Sequence, residues 1–360
     1  MSLFAKKRVL ILTNCVMSYR IPIFTLLGEI YELTVAYSHG NILSEQYNFK
    51  TIFLDAWQYK RIVIQKDSVY KLASGFDVVI YTGDIAWIKY SMLGFKKNRS
   101  FKLICWTIGV SASYSKEYDS VKRWDIVRDF FYKRSDALLF YSDYPVRKYI
   151  GRGFSSRKLF VANNTVSVVN SNCQIEKKYI LFIGTLYRAK GVLELIEAYY
   201  HAYLKCSDIP DLNIVGKGDD YTLIDEWIKT QGLSSKVHLL GAIYDENEKE
   251  KLFKSAYACI SPNQAGLSVL ESMAHGTPYI TRKNAITGGE RFNIQPFVTG
   301  LLYDDQDELV NILIDIKKYP QKYLDMGYAA KKYYDNSRTP ELMVEAFINA
   351  IDFVLQESRC

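Results

Sequence analysis

Short, almost wholly apolar runs recur along this chain with longer amphipathic segments between them, and the pattern runs twice. In the first half the runs are Val9–Thr13, Leu33–Tyr37, Val78–Tyr81, Leu103–Trp106, Ala137–Tyr141 and Leu159–Ala162. Strands covered by helices on both faces need apolar side chains at successive positions, so near-continuous apolar runs point to parallel strands. Helix-period segments such as Arg20–Glu29 and Val121–Arg134 lie between them, which predicts a doubly wound α/β domain. The polar stretch Asn170–Lys178 interrupts the pattern. It restarts with Tyr179–Ile183, a helix at about Val192–Leu204, then Leu212–Val215, Val237–Leu240, Ala258–Ile260 and Pro278–Thr281. Two Rossmann-like domains are therefore expected, at 1–168 and 175–338, with a terminal amphipathic helix in 339–360 packing back on the first domain. Its apolar positions are Leu342, Val344, Phe347, Ile348, Ile351 and Val354. A length of 360 residues suits two such domains.

Other classes are excluded or made remote. Lys6-Lys7-Arg8 followed by Val9–Leu12 has the charge order of a signal peptide, but the apolar run stops at Thr13-Asn14. No stretch reaches the 18 apolar residues of a membrane span. The six cysteines (15, 105, 173, 206, 259, 360) form no CxxC pair, and the four histidines (39, 201, 238, 275) have no ligand spacing. Neither a disulfide framework nor a metal site is expected, and a cytoplasmic location fits. The net charge of +7 divides unevenly. Residues 1–165 hold 25 Lys and Arg against 13 Asp and Glu, +12; the remainder holds 21 against 26, −5. Basic surface on the first half predicts phosphate-bearing partners and possible peripheral contact with an anionic membrane. Nucleic acid is not expected, because no reader motif accompanies the basic residues. The 29 tyrosines are read mainly as compositional bias, since Lys, Ile and Asn run high with them.

Three segments of the second half carry chemistry. Ile183–Gly191 is a strand end, a glycine turn and a helix start with the cations Arg188 and Lys190, an arrangement that suits a diphosphate. Leu212–Asp219 ends a strand in Gly216-Lys217-Gly218, where a ligand ring can approach the backbone. No GxGxxG with an acid about 20 residues on occurs, which argues against a nicotinamide dehydrogenase. The third segment runs Ser261–Pro278: a loop to Gly266, a helix from about Leu267, and Gly276 as its C′ glycine. Backbone N–H groups at the helix start would face a phosphate. Glu271, one turn in, could accept hydrogen bonds from vicinal ribose hydroxyls.

At these residues the chain resembles the family 4 retaining glycosyltransferases of GT-B fold, in particular those of bacterial polysaccharide biosynthesis. The matching features are Gly184…Lys190-Gly191, Gly216-Lys217-Gly218, Val237…Gly241, then Pro262, Gly266-Leu267, Glu271 and Gly276-Thr277-Pro278, and Thr299–Leu302. Order and spacing agree over about 120 residues. In the first half Tyr19–Pro22 and Asp136–Asn164 look like the family's acceptor domain. The resemblance implies two doubly wound domains facing across a cleft. It implies a UDP- or GDP-sugar donor and no required cofactor. It also implies a glycan or polyprenyl-diphosphate-linked acceptor, in assembly of capsule, O-antigen or exopolysaccharide. By it, Lys190 binds the donor diphosphate, Glu271 holds the ribose, and Gly266, Leu267 and Ser268 contact the donor through backbone groups. Gly184 and Thr185 line the donor site, and Gly216 and Gly241 border the base. Three positions depart from the pattern. Asn263 stands where the family has a glutamate, so the catalytic set becomes Lys190, Arg188, Asn263 and Glu271. Thr185 replaces an arginine whose charge Arg188 would supply. No histidine lies near Trp106–Gly109, and no residue replaces it; for the carboxylate absent at Asn263, Glu290 in Gly288-Gly289-Glu290 is a candidate substitute. A GT-B sugar-nucleotide epimerase and a non-catalytic nucleotide-sugar-binding homologue are the rival expectations.

Overall fold

The structure, a computed structural model, describes residues 6–43, 46–111, 118–119, 124–169, 171 and 175–356. Cys173, Cys360, the start of the expected Val121–Arg134 helix and part of Asn170–Lys178 lie outside these. The chain forms two compact units. One comprises 1–111, 119–164 and 340–360; the other comprises 112–118 and 165–339.

In the first unit the strands are β1 (Arg8–Leu12), β2 (Glu32–Tyr37), β3 (Lys50–Phe53), β4 (Ala56–Tyr59), β5 (Ile62–Gln65), β6 (Val78–Thr82), β7 (Lys102–Thr107), β8 (Ala137–Phe140) and β9 (Leu159–Val161). Seven pair in parallel in the order β3-β2-β1-β6-β7-β8-β9; β4 and β5 form a separate antiparallel hairpin. In β1, Val9 and Ile11 enter one core layer while Leu10 and Leu12 enter the layer on the opposite face. That two-sided burial is why the run reads as continuously apolar. Helices Ile21–Ile30 and Pro340–Gln356 cover the first face. The buried stripe of the terminal helix is Met343, Val344, Phe347, Ala350, Ile351 and Val354; Leu342 lies off it, partly exposed. Phe347 meets Trp106 edge-on with ring centroids 5.0 Å apart. Arg20 is buried beside them, its guanidinium 4.5 Å from the Trp106 ring and 5.0 Å from Tyr141.

The second unit holds β10 (Tyr179–Ile183), β11 (Asp211–Val215), β12 (Val237–Gly241), β13 (Ala256–Ile260), β14 (Gln264–Ala265), β15 (Tyr279–Arg282), β16 (Ile286–Thr287) and β17 (Gly300–Tyr303). Six strands form a parallel sheet ordered β12-β11-β10-β13-β15-β17, and β14 with β16 forms a short pair. Ile180 and Phe182 face one core layer, Leu181 the other. This is the doubly wound architecture expected for both halves. Strand order reverses between β10 and β13, so the loops that follow these two strands flank the switch point. Open parallel sheets bind ligands there, because the loops on either side diverge and leave a crevice. Among the described residues no helix is long and apolar enough to cross a membrane, and no three His, Cys, Asp or Glu side chains gather as a metal-ligand group.

Candidate donor site at the carboxyl edge of the second sheet

Backbone contacts knit three strand ends together at this edge. Gly184 N–H donates to the Val215 carbonyl at 3.0 Å, and Gly216 N–H to the Gly241 carbonyl at 2.8 Å. A Cβ on Gly216 would lie 1.9 Å from the Gly184 carbonyl oxygen, so only glycine permits this approach. A Cβ on Gly218 would lie 2.1 Å from the Leu186 carbonyl oxygen. The glycines after β11 therefore serve loop-to-loop packing here.

Lys190 ends the short 3-10 turn Arg188–Lys190 after β10, and Gly191 follows in the left-handed region at φ 73°. The lysine side chain folds back over Gly184; a Cβ there would lie 3.5 Å from Lys190 Nζ. Among the described residues no carboxylate pairs with it. Burial lowers its pKa below the ordinary lysine value, against a small opposing effect of Cys259. A half-buried cation without a counter-ion is a costly arrangement that an anionic ligand would relieve. Arg188 and Thr185 sit in the same loop, exposed.

Glu271 occupies the first turn of helix Ser268–Ala274, its side chain 18% exposed. Its Oε1 accepts from Lys249 Nζ at 2.8 Å, and Lys249 also pairs with Glu246 at 2.8 Å. Burial works against the Lys249 charge, but the two carboxylates outweigh it and raise its pKa. Lys249 has no signal in the sequence, because it reaches Glu271 from a helix 22 residues earlier. The Lys190 and Glu271 charges act on one buried thiol, Cys259, which they push in opposite directions. Both charges are thus within electrostatic reach of Cys259 in β13, whose thiol pKa burial raises most.

Asn263 is held by one side-chain and two backbone hydrogen bonds. Its Nδ2 donates to Glu194 Oε1 at 2.6 Å, its backbone N–H to the Lys190 carbonyl at 3.3 Å, and its carbonyl accepts from Ile286 N–H at 2.8 Å. Its side chain lies against Gly191, where an added Cβ would be 2.5 Å from Nδ2. Arg282 Nη2 holds the other Glu194 oxygen at 2.7 Å. The sequence reading missed Glu194, which stands three residues beyond Gly191, and it missed Arg282. Together they explain the amide: a glutamate at 263 would set a second carboxylate against Glu194. Asn263→Glu is expected to destabilise the fold by roughly 1–2 kcal/mol at pH 7, with most of the loss recovered by Glu194→Gln. Urea denaturation of the single and double variants measures this; equal stability of Asn263→Glu and wild type would refute it.

At the β13 loop, Gly266 has open space around its Cα, and no side chain caps the helix N-terminus behind it. Leu267 packs partly into the core. The Ser268 hydroxyl bonds the Tyr279 hydroxyl at 2.9 Å. Glu290 is buried and turned into its own loop, where its carboxylate accepts from Gly288 N–H at 3.0 Å. Its charge reaches Tyr279, the partner of Ser268. Glu290 is thus a loop-closing group that lies close to the Ser268 end of the site.

Residues 169–333, which contain this whole edge, match the family described as Glycosyl transferases group 1. The chain is a glycosyltransferase. Its fold is similar to that of HepE from Anabaena in complex with UDP, with a TM-score of 0.73 and 16% identity over 96% of this chain and 99% of that one. It is also similar to the lipopolysaccharide outer core galactosyltransferase WaaB in apo form, at 0.65 and 17% over 96% and 99%. A variant of TarM from S. aureus, in complex with fondaparinux, α-GlcNAc-glycerol and UDP, gives 0.68 and 10% over 96% and 99%. At these identities the likeness concerns the glycosyltransferase's fold. No curated protein matches the sequence.

Proposed function

We propose that this glycosyltransferase moves a sugar, with retention, from a UDP- or GDP-sugar to a glycan or polyprenyl-diphosphate-linked acceptor in cell-surface polysaccharide assembly. The observation that carries the donor assignment is Lys190: a partly buried cation at the switch point with no carboxylate partner among the described residues, while Glu271 acts electrostatically on Cys259 of the same β13. The UDP in the HepE and TarM complexes agrees with a nucleoside diphosphate here. In this reading Lys190 and Arg188 meet the diphosphate, and backbone groups of Gly184, Thr185, Gly266, Leu267 and Ser268 surround it. Gly216 and Gly241 border the base, and Glu271 holds the ribose. Asn263 acts by fixing the Lys190 loop. Glu290 acts through Ser268.

The chemistry then follows from charge. The bond between the anomeric carbon and the diphosphate oxygen breaks, and the electron pair leaves with the diphosphate. Lys190 stabilises that charge more in the transition state than in the ground state, which is what accelerates transfer. The acceptor hydroxyl attacks on the same face and its proton passes to the departing phosphate oxygen, so no protein carboxylate need sit beside the sugar. The basic first unit binds the acceptor at the inner face of the membrane.

A panel of nucleotide sugars, scored for thermal shift and slow donor hydrolysis, tests the reading. One UDP- or GDP-sugar should raise the melting temperature and be hydrolysed to the nucleoside diphosphate. Binding without turnover under any acceptor identifies a non-catalytic homologue, release of an epimerised sugar identifies an epimerase, and binding of none removes the proposal.

A further inference from the structure

The β4–β5 hairpin of the first unit is built inside out. Strand neighbours alternate between faces, and directly opposite residues share one. The cross-strand pairs Trp57 with Ile64 and Tyr59 with Ile62 therefore lie on one face, while Gln58 with Val63 and Ala56 with Gln65 lie on the other. Val63 and Gln65 are buried and Ala56 is half-buried, so the second face is turned to the body of the unit except at Gln58, which is exposed near the tip. The outward face is the apolar one: Trp57 is 63% exposed, Tyr59 72% and Ile62 43%. A hairpin that served only the fold would carry the opposite pattern, with the polar residues outside.

The tip adds a second anomaly. It is Lys60-Arg61, and Lys60 adopts a left-handed backbone at φ 53°, where Asn or Gly fits without strain. Both side chains are exposed, with Lys60 Nζ 5.6 Å from the Tyr59 ring centroid. From Ala56 to Lys66 the segment has three cations and no acid; among the described residues only Lys66 has an ion-pair partner, Asp55 at 3.5 Å. Local strain retained to present two cations beside two exposed aromatic rings calls for a partner that is apolar and anionic together.

We infer that the β4–β5 hairpin is an interfacial membrane anchor, which lays Trp57, Tyr59 and Ile62 into the headgroup boundary of an anionic bilayer while Lys60 and Arg61 meet its phosphates. Tyrosine and tryptophan suit that boundary because one end of each ring is apolar and the other can stay wet. A second copy of the chain is the poorer occupant on two grounds. A self-complementary contact would bring the cations of both tips together with no exposed acid on the face to pair them. The hairpin is also far short of the roughly 20–30 residues a side that stable protein interfaces use. The inference rests on the proposed peripheral contact of the first unit with the membrane and gives it an element.

Vesicle sedimentation of the full chain tests it, using phosphatidylcholine vesicles with and without phosphatidylglycerol. Wild type should bind the acidic vesicles, release with added salt, and show a blue-shifted Trp57 emission quenched by brominated lipid in a Trp124→Phe background. Lys60→Gln with Arg61→Gln should lower partitioning about 25-fold, at about 1 kcal/mol per cation. Trp57→Ser with Tyr59→Ser should lower it at least about tenfold. Donor hydrolysis in vesicle-free buffer should be the same in all variants, which reports that they are folded. If wild type ignores acidic vesicles, both the peripheral reading and the anchor fail. If wild type binds and the hairpin variants bind equally, the anchor alone fails. A wild-type dimer that the Trp57→Ser and Tyr59→Ser changes dissociate would assign the face to self-association and overturn the inference.

Discussion

Replacing Lys190 by methionine is expected to make the protein more stable and nearly inactive. The two effects have one cause. Lys190 is held half-buried with no carboxylate partner among the described residues, and burial lowers its pKa. The folded state therefore binds that proton less tightly than the unfolded chain does. Below the folded pKa the full cost of the buried charge is present; it is relieved only as pH rises from the folded value toward that of a free lysine. Methionine keeps most of the side chain's volume and removes the charge, so the melting temperature of the ligand-free protein should rise by roughly 2–4 °C for each kcal/mol relieved. The donor reaction should lose about 100- to 1000-fold in kcat, the usual consequence of deleting one group aimed at developing charge. Lys190→Arg should keep the charge yet recover little, because the space over Gly184 fits a point cation. Wild-type donor affinity should also weaken as pH rises through the lowered Lys190 pKa, since the neutral amine cannot hold the diphosphate. Calorimetry and steady-state kinetics on the same preparations decide this. A Lys190→Met protein that is both less stable and active within tenfold of wild type would show that the lysine is a structural residue.

The sequence made the architecture legible because the physics that produces it is local. Val9–Leu12 and Tyr179–Ile183 must be apolar at every position to be covered on both faces, and such runs are visible without partners. The loop after β10 and the loop and helix after β13 were legible as local structure for a related reason: in each, the glycine turn and the helix start are contiguous in the chain. What escaped was long-range or masked by composition. Strands β3, β4 and β5 lack the continuous apolar run; β3 is only partly buried, and the hairpin turns its aromatic residues outward. Strand β17 opens on Gly300, which leaves only Leu301 and Leu302 as an aliphatic run, and it escaped for that reason. Lys249, Glu194 and Arg282 reach the site from separate elements, and no spacing rule predicts a contact set by tertiary packing. Asn263 shows the cost of that blindness. Alone it is a missing carboxylate; beside Glu194 at 2.6 Å it is the donor that a neighbouring carboxylate requires.

The second large effect concerns Glu271, and the Lys249 pairing determines its form. Lys249 occupies Oε1. No other hydrogen bond to the carboxylate is made among the described residues, which leaves Oε2 and the remaining lone pairs of Oε1 for a ribose diol. Glu271→Ala removes up to two charge-assisted hydrogen bonds, each worth about 1.5–3 kcal/mol where water is excluded. The donor KM is therefore expected to rise about 100-fold. The ribose is remote from the breaking bond, so kcat should fall less than about tenfold, the pattern of an interaction made equally in ground and transition states. The fold should survive, because the core contacts of this helix come from Val269, Leu270 and Met273 and Lys249 keeps Glu246. Glu271→Gln keeps one acceptor and should lie between, with the donor KM raised about tenfold. Lys249→Met separates positioning from contact: Glu271 keeps its oxygens but loses the group that aims them, so the donor KM should rise by less than in Glu271→Ala, again with little change in kcat. Should Glu271→Ala leave the donor KM within about threefold of wild type, or should Lys249→Met exceed it, the carboxylate would be serving Lys249 rather than the pentose. The nucleoside would then have to be gripped through the backbone of the glycine loops alone.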